Sequence, residues 1–402
     1  MKVLLLICDG MADRPVAELD GRTPLEAAEK PHMDELARRG VCGLMDTIAP
    51  GVPPGSDTAH LALLGYDPYE VYTGRGPFEA AGAGIELKPG DIALRANFAT
   101  VDEDLVVRDR RAGRIQEADR LAEALRSIKL RGVQVIFKST VGHRGALVLC
   151  GRGLSHEVTD SDPHQVGAKA MQVKPLSRRA ARTARLLNEF SRKAHEVLEA
   201  HPLNEERRRR GLPPANYLLL RGAGVVPELQ PMGQRFGIKG ACVAAAALVK
   251  GVCRLAGMEV LDVPGATGGL NTDLDAKRDA ALRALERNDL VLLHVKGFDE
   301  ASHDGNAAAK VQLIERVDRM LGQLLGAADL IVIAVDHTTP VSVREHTGDP
   351  VPVLIAGPGV RTDDVQRFDE RSCARGGLGR IRGKDLLPII TDLMGKGRKF
   401  GA

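Results

Sequence analysis

The chain opens with the stretch Val3-Leu4-Leu5-Leu6-Ile7-Cys8-Asp9-Gly10, an apolar run that stops at a turn. A short apolar run bounded by turn residues predicts a strand that is buried on both faces. Runs of the same kind cover residues 217–220, 290–295, 330–335 and 351–356. Helical patterns cover residues 32–39, 239–255, 275–287 and 307–325. This alternation predicts an α/β core with a mostly parallel sheet flanked by helices.

The middle of the chain has a different pattern, which predicts an inserted domain. It contains an Arg-rich segment at residues 108–114 and a long charged helical pattern at residues 176–198. Stretches that predict strands cover residues 92–101, 133–138 and 146–149, and a helix is predicted at residues 117–127. We therefore expect a core domain formed by residues 1–86 and 215–402, and a smaller α+β domain formed by residues 87–214.

Composition excludes several classes of protein. The 402 residues include 56 basic and 53 acidic side chains, which leave a net charge of +3, and Trp is absent. A nearly neutral chain with few aromatic residues has neither a strong field nor stacking platforms for nucleic acid. We expect a small-molecule substrate and no nucleic-acid partner. The sequence does not indicate an oligomeric state.

Neither a membrane segment nor a disulfide framework is indicated. The apolar runs are shorter than the roughly 20 residues that cross a bilayer, and the first one is too short for a signal peptide. The six cysteines are scattered and show no C-x-x-C spacing. We expect a cytoplasmic protein, with no membrane partner and with reduced, buried thiols.

Potential metal ligands follow the carboxyl ends of the predicted strands. In chain order they are Asp9, Asp299, His303, Asp336, His337 and His346. Ligand sites of open α/β sheets lie outside these strand ends, so residues distant in sequence meet there. Asp oxygens and His nitrogens together suit Mn²⁺ or Zn²⁺, and Mg²⁺ less well. An isolated Asp-His pair would be a cap or a turn, but the combination favours a metal site.

Ser56 is the candidate nucleophile. It lies in Pro53-Pro54-Gly55-Ser56-Asp57-Thr58-Ala59-His60, ahead of an apolar helical pattern. One interpretation is that Ser56 only caps this helix. However, a helix N-terminus attracts phosphate, and a hydroxyl beside a divalent metal can attack phosphorus. With the ligands above, the nucleophile is the favoured interpretation.

Taken in order, these residues resemble the metal and nucleophile pattern of the alkaline phosphatase superfamily. Within it, the chain most closely resembles the archaeal type of cofactor-independent phosphoglycerate mutases. The motifs that carry the resemblance are C-D-G-M-A-D-R-P, P-P-G-S-D-T-A-H, T-G-R-G-P-F-E-A, G-H-R-G-A-L-V-L, D-S-D-P-H, K-G-x-D-E-A-S-H-D-G and V-D-H-T-T-P. They span nearly the whole chain, including the predicted insert.

The resemblance implies that 3-phosphoglycerate and 2-phosphoglycerate interconvert through a phosphoserine on Ser56, without 2,3-bisphosphoglycerate. It also implies two divalent metal ions, Mn²⁺ or Mg²⁺ first, with Co²⁺ or Zn²⁺ as further choices. The implied ligands of one ion are Asp9, Ser56, Asp336 and His337, and those of the other are Asp299, His303 and His346.

In the insert, the resemblance implies that His143 and Asp162 bind and deprotonate the glycerate hydroxyls. Asp160 competes with Asp162 for this role, and a simple hairpin turn is the alternative interpretation of His143. Arg144, Arg221 and Lys239 are candidate clamps for carboxylate and phosphate, with surface charge as the alternative. Arg75 is a weaker candidate that either binds phosphate or orders its turn.

Other functions remain alternatives. A metal-dependent phosphatase of the same superfamily would use the same metals and Ser56, with water as the acceptor of the phosphoryl group. An inserted domain that closes over the site favours the mutase, because it retains glycerate. Another phosphomutase, such as a phosphopentomutase, fits the whole-chain motifs less well. A binding module without turnover would lack a ligand or the nucleophile, and the sequence lacks neither.

Overall fold

The computed structural model describes residues 1–401, which form two compact units. The first unit combines Met1–Val71 with the chain from Leu229 onward, and the second is Tyr72–Glu228. The boundaries expected from the sequence, residues 87 and 214, both lie inside the second unit. Within residues 1–401, no helix is both long and apolar enough to cross a membrane.

The strands of the first unit are β1 (Val3–Cys8), β2 (Gly40–Asp46), β8 (Gly240–Val243), β9 (Glu259–Leu261), β10 (Leu290–Val295), β11 (Leu330–Ala334), β12 (Val351–Ala356) and β13 (Gly379–Arg382). Those of the second unit are β3 (Ile92–Val101), β4 (Val107–Asp109), β5 (Gln134–Ser139), β6 (Arg144–Cys150) and β7 (Tyr217–Gly224).

The α-helices of the first unit are α1 (Pro24–Ala27), α2 (Pro31–Arg38), α3 (Ser56–Leu63), α4 (Pro68–Val71), α9 (Met232–Arg235), α10 (Ala247–Leu255), α11 (Leu274–Arg287), α12 (Gly297–His303), α13 (Ala307–Gly322), α14 (Glu370–Cys373) and α15 (Gly383–Leu393). Those of the second unit are α5 (Gly76–Gly82), α6 (Ala118–Leu125), α7 (Ala181–Glu199) and α8 (Pro202–Arg209).

An eight-stranded sheet forms the core of the first unit, in the order β13-β2-β12-β11-β1-β10-β8-β9. Strand β1 is central, and every residue in it is buried, as its unbroken apolar run predicts. It pairs in parallel with β10 on one side and β11 on the other. Only β12 runs antiparallel to its neighbours β11 and β2. The predicted mostly parallel α/β sheet is confirmed.

The helix predicted at residues 239–255 is wrong in its first half. The structure has a strand there, β8, which pairs in parallel with β10, and α10 begins only at Ala247. A short apolar run followed by alanines fits a buried helix and a buried strand equally well by periodicity. The backbone pairing of this segment with β10, which periodicity does not reveal, favours the strand.

A five-stranded sheet forms the core of the second unit. Its strands lie side by side in the order β4-β3-β6-β5, and β7 also pairs with β3. The run at residues 217–220, expected in the main sheet, belongs to β7 and is antiparallel to β3. Helix α5 approaches the same sheet so closely that a Cβ on Gly76 would lie 2.0 Å from Ala93 O. These contacts extend the second unit beyond residues 87 and 214.

Candidate active site

The carboxyl ends of β1, β10 and β11 bring the predicted ligands of the first unit together. Asp9 directly follows β1, and Asp336 and His337 follow β11. Asp299 lies on α12, the short helix that begins just after β10. Because the three strands are parallel neighbours with β1 in the middle, their ends meet at one edge of the sheet.

His337 lies at the centre of this cluster. Its Nε2 atom is 3.3 Å from Asp336 Oδ2 and 3.5 Å from Asp9 Oδ1. The hydroxyl of Ser56 is 3.5 Å from the same nitrogen. Asp9, Asp336 and His337 are completely buried, so these polar groups face one another rather than bulk water.

Asp299 lies close to the other two histidines, His303 and His346. Its Oδ1 atom is 3.2 Å from Nε2 of both His303 and His346. The rings of His337 and His346 are stacked with their centroids 3.6 Å apart. Donor atoms of Asp9, Asp336 and His337 lie within 4.8 Å of one another, as do those of Asp299, His337 and His346. His337 therefore belongs to both donor groups.

The three histidines share one orientation. Nδ1 of His303 lies 2.7 Å from Arg344 O, and Nδ1 of His346 lies 2.7 Å from Pro54 O. Nδ1 of His337 lies 2.7 Å from the hydroxyl of Thr339. A carbonyl only accepts, so Nδ1 carries a proton in His303 and His346, and Nε2 is the nitrogen that faces Asp299. Histidines that bind metals commonly have this outer hydrogen bond from Nδ1. The hydrogen bond with Asp299 raises the pKa of His303 to about 9, so a metal ion would replace the proton on Nε2 of that ring.

Three carboxylates in this cluster face a single ammonium group, that of Lys296. Burial, and then the charge of Asp9, raise the pKa of Asp336 well above its usual value. Burial opposes ionisation of Asp9 as well, but Lys296 and a hydrogen bond from His294 hold the pKa of Asp9 below its usual value. Asp336 Oδ2 is buried without a hydrogen-bond partner among residues 1–401. This excess of oxygen donors, together with imidazole nitrogens, fits divalent metal ions.

Ser56 is the first residue of α3, and the N-cap position belongs to Gly55. The interpretation that Ser56 merely caps the helix is therefore wrong. One turn later, His60 is fully buried and its Nδ1 lies 2.7 Å from Ser56 O. Burial lowers the pKa of His60 to about 3, so this ring is neutral. The hydroxyl of Ser56 is left to face His337.

The second unit carries three arginines on one face of its sheet. Arg95 on β3 lies opposite Arg221 on β7, and Asn97, two residues along β3, lies opposite Arg144 on β6. Opposite residues, and residues two apart, share a face of a sheet. Arg95 Nη1 is 3.5 Å from the carboxylate of Glu79. Guanidinium groups match the geometry of carboxylate and phosphate groups, so this face is suited to bind either.

His143 lies in the hairpin between β5 and β6, immediately before Arg144. Burial, followed by the charges of Arg144 and Arg95, lowers the pKa of His143 to about 3. The imidazole is therefore neutral at pH 7. It can hydrogen-bond to a hydroxyl group without adding a charge.

Asp162 and Asp160 differ in their surroundings. Asp162 is fully buried and receives two hydrogen bonds from Arg110, at 3.2 and 2.7 Å. Burial opposes its ionisation, but Arg110 and the backbone of His164 lower its pKa overall. Asp160 is half-buried and accepts a hydrogen bond of 2.9 Å from the amide of Gly222. Asp162 is ionised at neutral pH, as a proton acceptor must be.

Comparison with known proteins identifies the family. The family model for 2,3-bisphosphoglycerate-independent phosphoglycerate mutase matches residues 37–204. The protein of that name from Methanosphaera stadtmanae is 53% identical over 409 residues, with 100% of both chains covered. This chain belongs to the 2,3-bisphosphoglycerate-independent phosphoglycerate mutase family. The family resemblance drawn from the sequence is confirmed.

Two solved structures extend the comparison of this family member. The chain is 39% identical to the cofactor-independent phosphoglycerate mutase from Thermoplasma acidophilum, with a TM-score of 0.71 and coverage of 98% and 100% of the two chains. It is 46% identical to the PH0037 protein from Pyrococcus horikoshii, with a TM-score of 0.87 and coverage of 100% and 99%.

One predicted substrate clamp of this family member lies away from the metal-ligand edge. Lys239 is exposed and directly precedes β8, at the amino end of that parallel strand. Its amide donates a hydrogen bond of 2.9 Å to the carboxylate of Asp289. Because residues 240–243 form a strand, Lys239 lies at the amino ends of the parallel strands, whereas Asp9 lies at their carboxyl ends. The structure therefore does not bring Lys239 to the cluster.

Two further residues of the cluster, His294 and Lys296, were not predicted from the sequence. His294 Nε2 lies 2.9 Å from Asp9 Oδ2, and Lys296 Nζ lies 2.5 Å from Asp299 Oδ2 and 3.4 Å from Asp9 Oδ1. His294 points from β10 toward Asp9, where it orients the carboxylate. A histidine inside an otherwise apolar strand, and a lysine directly after it, were the signals that could have revealed them.

Proposed function

We propose that the chain interconverts 3-phosphoglycerate and 2-phosphoglycerate through a phosphoserine on Ser56, without 2,3-bisphosphoglycerate. Family membership supports this isomerase activity. The observation that carries the role of Ser56 is its hydroxyl, which faces His337 beside the buried carboxylates of Asp9 and Asp336. This reaction is a step of glycolysis and gluconeogenesis, and we therefore propose that the chain acts in the cytoplasm.

We assign the metal ligands on the donor set described above. We propose two divalent ions, with Mn²⁺ or Mg²⁺ in first place and Co²⁺ or Zn²⁺ as alternatives. Such ions would lower the pKa of the serine hydroxyl and neutralise charge on the phosphate. One ion would be held by Asp9, Ser56, Asp336 and His337, and the other by Asp299, His303 and His346. His337 lies close enough to both groups to be shared.

The chain's own residues then account for the transfer. Ser56 gives up its hydroxyl proton as Oγ attacks phosphorus, so that an Oγ–P bond forms while the bond between phosphorus and the glycerate oxygen breaks and that oxygen takes up a proton. The amino end of α3 directs backbone N–H groups toward the anion. The ammonium group of Lys296, held between Asp9 and Asp299, adds a positive charge where the phosphoryl group would lie.

Glycerate must stay bound while the phosphoryl group is on Ser56. Arg144 and Arg221 offer guanidinium groups that match the glycerate carboxylate. Neutral His143 and ionised Asp162 accept a hydrogen bond or a proton from a glycerate hydroxyl. The second hydroxyl gives its proton to one of these groups and attacks phosphorus. The Oγ–P bond then breaks, Ser56 Oγ takes up a proton, and the other phosphoglycerate forms. Deprotonation by the second unit thus distinguishes a mutase from a phosphatase.

The test is an assay of metal-reconstituted protein on 3-phosphoglycerate with no bisphosphoglycerate, in which 2-phosphoglycerate and free phosphate are both quantified. We expect 2-phosphoglycerate with little phosphate, and loss of both products on addition of a chelator. Phosphate without 2-phosphoglycerate would make the chain a phosphatase instead.

The nucleophile is tested by Ser56→Ala, which we expect to fold and to lose turnover. Ser302→Ala is the matched control, because the hydroxyl of Ser302 is buried in α12 and donates to Phe298 O at 2.8 Å. Mutase activity retained by Ser56→Ala would remove Ser56 from the mechanism.

A further inference from the structure

Lys310 on α13 is a fully buried lysine that the proposed chemistry does not use. Its ammonium group donates to Ala12 O at 3.2 Å, to Thr339 O at 3.0 Å and to Asp13 Oδ2 at 2.7 Å. An ammonium group has three N–H donors, so each donor has its own acceptor. Burial of a charge is costly unless the charge is paired and hydrogen-bonded in this way.

The acceptors of Lys310 lie on two different loops. Ala12 and Asp13 belong to the loop after β1, which begins with Asp9, whereas Thr339 belongs to the loop after β11, which contains Asp336 and His337. Strands β1 and β11 are parallel neighbours, so these loops leave the sheet side by side. The ammonium group of Lys310 therefore bridges the two loops that carry the proposed ligands of one metal ion.

Short contacts connect this bridge to the ligands. The backbone carbonyl of Thr339 accepts a hydrogen bond from the ammonium group of Lys310, and the hydroxyl of Thr339 lies 2.7 Å from His337 Nδ1. The amide of Thr339 donates to Ala12 O at 3.2 Å. The amide of Gly10, next to Asp9, donates to Asp336 Oδ1 at 3.0 Å. A displacement of either loop would therefore move a ligand.

Asp13, the partner of Lys310, connects a third segment. Its two carboxylate oxygens each lie 3.2 Å from the amide of Val341, which begins the segment that leads to His346. Replacement of a buried ion pair by apolar residues of similar size often leaves stability unchanged or increased. Stability alone is therefore a weak explanation for a lysine in this position.

We propose that Lys310 is a positioning residue that fixes the loops after β1 and β11, so that Asp9, Asp336 and His337 converge on one metal ion. This inference rests on the metal centre of the proposed function. Lys310 itself contacts neither the metal nor the substrate. It acts through the backbone of Ala12 and Thr339.

The test uses the full-length chain freed of metal. Binding of Mn²⁺ is titrated by calorimetry, and the visible spectrum of the Co²⁺-loaded protein reports the ligand geometry. Lys310→Met is expected to raise the Mn²⁺ dissociation constant by about 10–100-fold, as loss of outer support for metal ligands typically does, and to alter the Co²⁺ spectrum.

Lys30→Met is the matched control. Lys30 is also buried, with 1% exposure, and it is paired with Asp34 at 2.9 Å on α2. We expect this variant to keep the parental Mn²⁺ affinity and Co²⁺ spectrum, even where it lowers the melting temperature.

A double variant, Lys310→Met with Asp13→Asn, separates positioning from charge compensation. It removes the unpaired carboxylate, which restores stability, but it does not replace the hydrogen bonds to Ala12 O and Thr339 O. We expect its Mn²⁺ affinity to stay low. If Lys310→Met alone does not fold, this variant carries the test.

Parental Mn²⁺ affinity and Co²⁺ spectrum in folded Lys310→Met would overturn the inference. Full recovery of affinity in the double variant would also overturn it, because charge compensation would then be the whole role of Lys310. If the parent itself bound no Mn²⁺, the proposed metal centre would fail, and the role of Lys310 with it.

Discussion

The first unit places its candidate functional side chains after its strands, whereas the second places its arginines on a strand face. Asp9 and Asp336 follow parallel strands, and their positions depend only on which strand ends are neighbours. Arg95, Arg144 and Arg221 lie within or at the start of antiparallel strands, and they come together only because of the register between those strands. The first kind of site is therefore visible in a sequence, and the second requires the pairing.

The largest effect is expected in the first unit, from Asp336→Asn. Loss of this carboxylate should lower kcat/KM about 10³-fold, at the upper end of the cost of removing one group that stabilises charge. The free energy of unfolding of the metal-free protein should not fall, because Asp336 Oδ2 is buried without a hydrogen-bond partner among residues 1–401. The measurements are steady-state kinetics and urea unfolding.

Asp364→Asn is the control for this prediction, because Asp364 is exposed in a loop of the same unit. It should change neither quantity. A kcat/KM near the parental value in Asp336→Asn would show that the edge of the parallel sheet is not the reactive part of the molecule.

The extent of the second unit is tested by Gly76→Ala. A Cβ at this position would lie 2.0 Å from Ala93 O, so α5 or β3 must shift, at a cost of about 3 kcal/mol. Hydrogen exchange followed by mass spectrometry should show faster exchange in peptides from the second unit. In the control Gly233→Ala, the nearest atom is 3.8 Å away, at Ile238 O. Faster exchange confined to the first unit would contradict the division at Tyr72.

The arginine face is tested by Arg221→Met. A hydrogen bond to a charged group contributes about 1.5–3 kcal/mol, so KM for phosphoglycerate should rise at least about 10-fold, with a smaller change in kcat. Arg208→Met is the control, because Arg208 lies on α8 in the same unit and pairs with Glu199. Equal KM values for the two variants would exclude the strand face as a substrate-binding surface.

The smallest effect concerns Glu370, which accepts hydrogen bonds from the hydroxyl of Thr23 at 2.7 Å and from the amide of Asp13 at 3.0 Å. Burial raises the pKa of Glu370 from 4.5 to about 7, despite the nearby charge of Lys310. The folded protein therefore holds this proton more tightly than the unfolded chain does. The resulting stabilisation is complete below pH 4.5 and is lost as the pH rises through 7.

The variant Glu370→Gln has no titratable group at this position, so its stability does not contain this pH-dependent contribution. Between about pH 5 and pH 8, the stability of the parent should fall relative to the variant by about 1–2 kcal/mol. This is less than the roughly 3 kcal/mol of the full pKa shift, because the side chain is partly exposed. Urea unfolding at both pH values checks it, and parallel pH profiles for parent and variant would contradict it.

Much of the first unit could be predicted from the sequence because its signals are local. The central strands β1, β10, β11 and β12 are apolar runs, and two of them are followed within two residues by a predicted ligand, Asp9 after β1 and Asp336 after β11. The structure brings the predicted ligand side chains into one neighbourhood, because the carboxyl ends of parallel neighbouring strands lie side by side. Lys239 was misplaced because a strand, β8, occupies the start of the predicted helix.

The second unit was harder to predict because its signals are not local. The run at residues 217–220 is apolar, but composition does not specify the strand with which it pairs. Alternation within Ile92–Val101 places Arg95 and Asn97 on one face of β3, but a basic face is recognised only when Arg221 is known to lie opposite Arg95. Gly76, next to Arg75, has a role that only the structure shows, because the close approach of α5 to β3 leaves no room for a Cβ there.

The two outermost strands of the eight-stranded sheet have a consequence for self-association. Strands β13 and β9 are only four and three residues long, and they carry charged side chains such as Arg380 and Glu259. Open edges of sheets are templates on which other copies of a chain can add strands, and short, charged edges resist this. The eight-stranded sheet therefore ends in edges that disfavour aggregation when the chain is concentrated.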